Sequence, residues 1–225
     1  MELRDHPLFA GCDPAVLDPI LRPLRPQRTR KGHLLVAART GPADLFLILH
    51  GTLMAFSQTA RGRRIIFELA GPGELDGILA AVGRAGHFTQ AASDCLLVRL
   101  SGEELRRLIQ ADARVAVNLA DLLLTRQEKR EAQIEALAES ATVHRLARQL
   151  LALGRFLGKT EPNGELRIAR VTHQTLADMV GLRRETVTMK LEELVAAGGV
   201  AVEGRQLRLR PGVLEDLIER PASSG

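Results

Sequence analysis

Within two helical turns the segment from Arg183 to Lys190 gathers Arg183, Arg184, Glu185, Thr188, Met189 and Lys190. Arginine presents a planar fork that matches O6 and N7 of guanine, and glutamate accepts a hydrogen bond from N4 of cytosine. Arg184 and Glu185 are therefore suited to reading base edges in a major groove. Upstream, Thr172 and Gln174, with Thr186 inside the segment, are uncharged donors suited to phosphate oxygens.

Such residues read bases only if two short helices hold them. In VTHQTLADMVG, Leu176, Ala177 and Val180 share one helical face, Thr172 stands at the N-cap, and Gly181 permits the left-handed residue that ends the helix. In the second helix Val187, Leu191, Leu194 and Val195 form the apolar stripe. This is a helix-turn-helix pattern whose second helix is the reader; the spacing also fits a plain helical hairpin with solvated charges. After Gly198 and Gly199, VAVEGRQLRLRP reads as a β-hairpin turning at Gly204 and Arg205, which makes a wing.

The stretch VTHQTLADMVGLRRETVTMKLEELVAAGGV with its hairpin resembles the DNA-binding domain of the cyclic-AMP receptor protein/FNR (Crp/Fnr) family of bacterial transcription regulators, with Arg184-Glu185-Thr186-Val187 as its most characteristic piece. The resemblance implies base contacts from Arg184 and Glu185, with Thr188, Met189 and Lys190 on the same helix. It implies backbone contacts from Thr172, Gln174, Arg183 and Thr186, and from Gly204 and Arg205 in the wing. One position departs: the family usually carries a second base-reading arginine four residues after the glutamate, and here Met189 stands there. Methionine cannot hydrogen-bond a guanine, so the inner part of the half-site is expected to be altered or read less strictly.

The totals bound the rest. A chain of 225 residues, 45% of them hydrophobic, has room for two modest domains with real cores. No apolar run approaches a membrane span and MELRDHPLFAGCD lacks the plan of a signal peptide, so a cytoplasmic protein is expected. The net charge of +4 favours an anionic partner, and basic residues outnumber acidic ones between Arg167 and Arg210. Arginine far outnumbers lysine, which suits bidentate recognition and equally reflects a GC-rich genome. Cys12 and Cys95 make no pair and read as buried thiols.

Residues 3 to 25 read as short helical pieces with Leu8, Phe9, Val16, Leu17, Ile20 and Leu21 as the apolar face. From Arg28 to about Leu100, HLLVAA, LFLILHGTLMAFS, RRIIFELA and CLLVRL are separated by Gly- and Pro-bearing turns, the pattern of an antiparallel sandwich or barrel. Ala111 to Leu137 is one helical pattern with Val115, Leu119, Leu122, Leu123, Ile134 and Leu137 as apolar contacts and a polar middle from Arg126 to Glu131. Ser140 or Thr142 is expected to cap the next helix, HRLARQLLALGRFL, at the hinge between domains, and the tail PASSG after Arg220 is expected to be disordered.

The glycines of the first half resemble the same family, whose N-terminal part is a cyclic-nucleotide-binding β-roll. The implied fold is α+β: a β-roll sensor over residues 1–110, a dimerisation helix over 111–138, and a winged helix-turn-helix over 139–225. The binding cassette departs from the pattern. Where the family has a glycine followed by glutamate for the ribose, this chain has Gly77 and Ile78. The Arg-Ser pair for the cyclic phosphate falls on Ala85-Gly86 with Arg84 one residue early, and the Thr-Ser pair for the adenine falls on Arg130-Glu131. Each lost contact costs about 1–3 kcal/mol, so cyclic AMP is not the expected effector.

Two isolated cysteines cannot hold an iron–sulfur centre, and His33, His50 and His87 read as turn or surface residues rather than haem ligands; no cofactor is expected. A redox switch at Cys12 or Cys95 has no basic cluster to support it. A cupin-type iron enzyme would need an H-x-H pair, and neither that, a G-x-S-x-G nor a Walker loop occurs, so an enzyme is not expected. The implied partners are double-stranded DNA and a second copy of the chain. By resemblance the loop KTEPNG, Lys159 to Gly164, would touch RNA polymerase; by itself it is a surface connection.

Overall fold

A computed structural model of the chain describes residues 1–36, 44–77 and 87–219. The chain divides into two compact units, Met1–Gln58 with Ile66–Gln127, and Thr59–Ile65 with Glu128–Gly225.

The first unit opens with two single turns of 3-10 helix, Leu3–Asp5 and Pro7–Phe9, and the helix α1 (Pro14–Leu21) capped by the Asp13 carboxylate. Leu8, Phe9, Leu17 and Leu21 enter the core as expected, whereas Val16 stays 39% exposed. Among the described residues eight strands follow: β1 (Pro26–Thr29), β2 (Leu34–Val36), β3 (Asp44–His50), β4 (Leu53–Gln58), β5 (Arg64–Ala70), β6 (Leu75–Asp76), β7 (Phe88–Ala91) and β8 (Cys95–Ser101). They form two four-stranded sheets, ordered β1-β8-β3-β6 and β2-β7-β4-β5, with the pairs of established register antiparallel.

Near-continuous apolar runs make β3 and β4 the buried strands, and Leu45, Leu47, Val98 and Leu100 pack with the N-terminal helices in one core. The turn between them needs Gly51: its φ is +87°, and a Cβ there would lie 2.3 Å from the Asp94 carbonyl oxygen. Strands β1 and β7 are too short to carry a clear period. PQRT is a polar segment recruited by hydrogen bonding to β8, whereas FTQA pairs with β4, buries Thr89 and Ala91 and stacks Phe88 on Phe56.

The long helical pattern is interrupted at its start. A separate helix, α2 (Gly102–Ala111), is closed by a capping box between Ser101 and Glu104, and the long helix α3 runs Arg114–Ala138. The break falls at Asp112, whose carboxylate accepts from the backbone N–H groups of Arg114 and Asp13. Ser101 and Glu104 are the S-x-x-E pair of that box, in which each side chain satisfies the other residue's backbone N–H. Within the first unit, Val115, Leu119 and Leu122 of α3 pack into the core and Arg126 is also buried. Ile134 and Leu137 are exposed instead, so the apolar residues of α3 belong to two different faces.

In the second unit α4 (Thr142–Leu157) supplies Leu146, Leu150 and Leu153 to the core. Its N-cap is Ala141, with no side-chain cap from Ser140 or Thr142; Arg145 donates to the Glu139 carbonyl and Arg148 to its carboxylate, and these bonds hold the entry turn. KTEPNG is the turn of a hairpin between β9 (Lys159–Thr160) and β10 (Leu166–Ala169). Helices α5 (His173–Val180) and α6 (Arg184–Ala196), strands β11 (Val200–Glu203) and β12 (Gln206–Leu209), and α7 (Pro211–Glu219) complete the unit. The sheet order is β11-β12-β10-β9. The expectation for the tail after Arg220 lies outside the described residues.

Cys95 is buried and bonded to the Thr52 and Ser93 carbonyls, as expected of a structural thiol. Cys12 is only half-buried, because it sits in the turn before α1; burial and the Asp112 carboxylate raise its pKa, which disfavours the reactive thiolate.

Candidate nucleic-acid interface

The first helix of the pair begins where Thr172 predicted. Its Oγ1 accepts from the Thr175 backbone N–H at 3.0 Å, and Gly181 ends the helix at φ 70°, ψ 22°. Replacing Thr172 by alanine is expected to cost about 1 kcal/mol, read as a lowered midpoint in urea. Leu176, Ala177 and Val180 are fully buried, as the pattern required.

Helix α6 buries Val187, Leu191 and Leu194, while Val195 is 40% exposed, because its position swings clear of the stripe. Glu185 and Met189, one turn apart, stand opposite the stripe and are exposed. Arg184 is exposed in the first turn, and Arg183 is the N-cap without a side-chain bond of its own. Thr188 turns toward α5: its hydroxyl lies 2.8 Å from His173 Nδ1 and donates to the Arg184 carbonyl. Lys190 pairs with Glu193 at 2.7 Å, and Gln174 donates to Asp178 at 2.8 Å. Thr186 is half-buried. His173, which sequence reasoning passed over, ties the two helices together through Thr188; a single polar residue at a helix start gave no signal for it.

The wing turns at Gly204, φ 57°, and its tip is tied down by the Arg170 N–H donating to the Arg205 carbonyl. The charges are sorted. Arg167 pairs with Glu161, Arg208 with Glu165 and Glu203, and Arg210 with Glu165. Among the described residues no carboxylate pairs with Arg170, Arg183, Arg184 or Arg205. Arg170, Arg183, Arg184 and Arg205 thus leave four guanidinium groups without a carboxylate at the α5–α6 pair and the wing, which suits this surface to an anion.

Two family models match the chain: a Crp-like helix-turn-helix domain over residues 144–217 and a cyclic nucleotide-binding domain over residues 26–112. The chain belongs to the Crp/Fnr family. Among its relatives, a protein of Thermus thermophilus named cyclic AMP receptor protein is 28% identical over 95% of this chain and 93% of its own. A CRP-like cAMP-activated global transcriptional regulator of Mycobacterium tuberculosis is 26% identical over 89% and 90%. The solved structure of a CRP/FNR-family transcriptional regulator from Thermus thermophilus is 25% identical, with TM-score 0.67 over 87% of this chain and 99% of that one. This Crp/Fnr-family chain is a DNA-binding transcription regulator and not an enzyme.

Of the cassette positions in this regulator, Ile78, Arg84, Ala85 and Gly86 lie outside the described residues. Gly77 has φ +91° and a Cβ there would meet the Asp44 carbonyl at 2.3 Å, so glycine is required by the backbone whatever binds nearby. Arg130, half-buried, and Glu131, exposed, follow in α3 in the second unit.

Beside Gly77 the regulator holds a buried charge cluster that the sequence did not announce. Arg126 Nε lies 2.6 Å from Glu68 and Nη2 2.7 Å from Asp76, whose other oxygen accepts from Thr89 at 2.5 Å. His87 Nε2 is 3.9 Å from the same carboxylate, so His87 is buried rather than a surface residue. Burial by itself would raise the Asp76 pKa, yet His87, the Arg126 charge and Thr89 together hold it well below the usual carboxylate range. Among the described residues no group of three His, Cys, Asp or Glu is placed to hold a metal. No helix among them is long and apolar enough to cross a membrane.

Proposed function

We propose that this regulator acts in the cytoplasm as a homodimer, activating transcription from a pseudo-palindromic site without cyclic AMP. The observation that carries the reading is the exposed, unpaired Arg184 in the first turn of α6, with the exposed, unpaired Glu185 beside it on the face opposite the buried stripe. Arg184 reads a guanine and Glu185 a cytosine; Met189 shares the face of Glu185, and Thr188, bonded to His173, and Lys190, paired with Glu193, flank it. Thr172, Gln174, Arg183, Thr186, Gly204 and Arg205 hold the phosphates and fix register.

Dimerisation is supported by the outer face of α3. Val117, Ala120, Leu124, Ile134 and Ala138 fall on one register of alternating four- and three-residue steps, and every one is exposed. That is a heptad seam without its partner. Two copies joined along it present two recognition helices about 34 Å apart, one turn of B-DNA. Residues 1–110 then serve as a sensor, 111–138 as the dimerisation segment and 139–225 as the DNA-binding domain. The hairpin turn at 159–164 is the candidate contact for RNA polymerase; activation is the commoner outcome in the family.

Independence from cyclic AMP is supported by Ile78, Ala85-Gly86 and Arg130-Glu131 standing where the family places its nucleotide contacts. The names of two relatives favour a second reading, dependence on cyclic AMP. Fluorescence anisotropy on a family-type palindrome and a scrambled duplex, at fixed salt with and without cyclic AMP, separates the two. Tight, selective binding without nucleotide is the expected result, and selectivity that appears only with it would replace the first reading by the second. Arg184→Ala is expected to lose about 1–3 kcal/mol of discrimination at one guanine per half-site. An equal loss on specific and scrambled duplexes would remove Arg184 from base reading.

A further inference from the structure

Met189 is 60% exposed, although it is an apolar side chain in the middle of a polar reading face. The positions around it are accounted for. Thr188 is turned back onto His173 and the Arg184 carbonyl, and Lys190 is paired with Glu193. Glu185, one turn earlier, Met189 and, one turn later, Glu192 stand opposite the buried Val187, Leu191 and Leu194. When the exposed face of α6 enters a major groove, the thioether is therefore carried in beside the Glu185 carboxylate.

In the major groove thymine presents the one bulky apolar group, its C5-methyl, where cytosine has only a C–H; the other distinguishing edge atoms are hydrogen-bond donors or acceptors. Methionine has a flexible, polarizable tip and no strong donor, so against guanine or cytosine it strips water from edge atoms without replacing the bonds. Against thymine it covers apolar surface with apolar surface. We infer that Met189 is a specificity-determining residue that selects a thymine methyl group at one position of each half-site. The inference rests on the reading that α6 enters the groove.

The test begins with a library of duplexes carrying an inverted repeat randomised in both half-sites, selected on the full-length protein. In the selected duplex each thymine of the half-site is replaced in turn by deoxyuridine, which removes the methyl group and leaves the pairing edges unchanged. One replacement per half-site is expected to weaken binding about four-fold, the equivalent of one buried carbon at about 0.8 kcal/mol. The same replacement should have no effect on Met189→Ala and a retained effect on Met189→Leu. Met189→Arg should turn the preference at that position from thymine to guanine by ten-fold or more.

If no thymine shows a methyl effect that depends on residue 189, while Arg184→Ala still loses discrimination at its guanine, the role of Met189 is overturned and DNA reading by α6 stands. If Arg184→Ala also leaves the selected sequence unchanged, the reading of α6 as the recognition helix fails with it. Because residue 189 is exposed, its variants are expected to melt with the wild-type protein, which ties any change in affinity to the interface.

Discussion

Arg126→Ala is expected to lower the stability of the first unit by about 3–5 kcal/mol, the cost of leaving buried carboxylate without its counter-charge. Arg126 is 8% exposed and Asp76 1%, so water cannot take over the lost partnership. Asp76 would keep Thr89 and the more distant His87, which is why the loss stays below the full cost of an isolated buried ion. Removing the charges together should cost less: Arg126→Met with Asp76→Asn and Glu68→Gln takes away all three, and the coupling between the substitutions should be large. Amide exchange in β3 and β8, which carry the core around the cluster, reads the loss directly. A change below about 1 kcal/mol would mean that the cluster is solvated in solution.

The same cluster predicts a pH dependence. The Asp76 pKa is lowered on folding, so the carboxylate contributes stability above its unfolded value of about 4, and that contribution is lost as the pH falls through the lower folded value. Without Arg126 the folded pKa is less depressed. The gap between wild type and Arg126→Ala should therefore be full at neutral pH and narrow below about pH 4. A gap independent of pH would assign the loss to packing.

The second large effect concerns the seam of α3. Leu124 and Ile134 are 62% and 66% exposed at heptad positions, so glutamate at both is expected to leave the single chain folded and to prevent pairing. Sedimentation equilibrium should then find a monomer. Affinity for a two-half-site duplex should fall by about 100-fold or more, because the second half-site contact is no longer intramolecular, while the weak affinity for one half-site is kept. A double variant that remains dimeric would show that another surface joins the copies, and the outer stripe of α3 would need a different occupant.

Much of this was legible beforehand because it depends on neighbours in sequence. Thr172, Gly181 and the three-four spacing of Leu176, Ala177 and Val180 act within one or two turns, and the helix pair came out where they placed it. Gly51 and Gly204 announced their turns because no other residue adopts those backbone angles without strain. The reading positions Glu185 and Met189 were legible for the same reason: helical period alone puts them away from Val187 and Leu191, while Arg184 is free because it opens the helix.

Partners distant in sequence were decided by tertiary structure. The polar middle of α3 gave no hint that Arg126 would turn inward, because the carboxylates that make its burial tolerable, Glu68 and Asp76, lie on strands 58 and 50 residues away. Polar β1 became a strand because β8 offered backbone groups to pair, and β7 because β4 offered both those groups and Phe56 for Phe88 to stack on. Thr188 became a link to His173 only when α5 and α6 packed. Local spacing determines which residues can share a face, but which face is buried depends on the free energy of whatever it meets, and the sequence of one segment does not contain that surface.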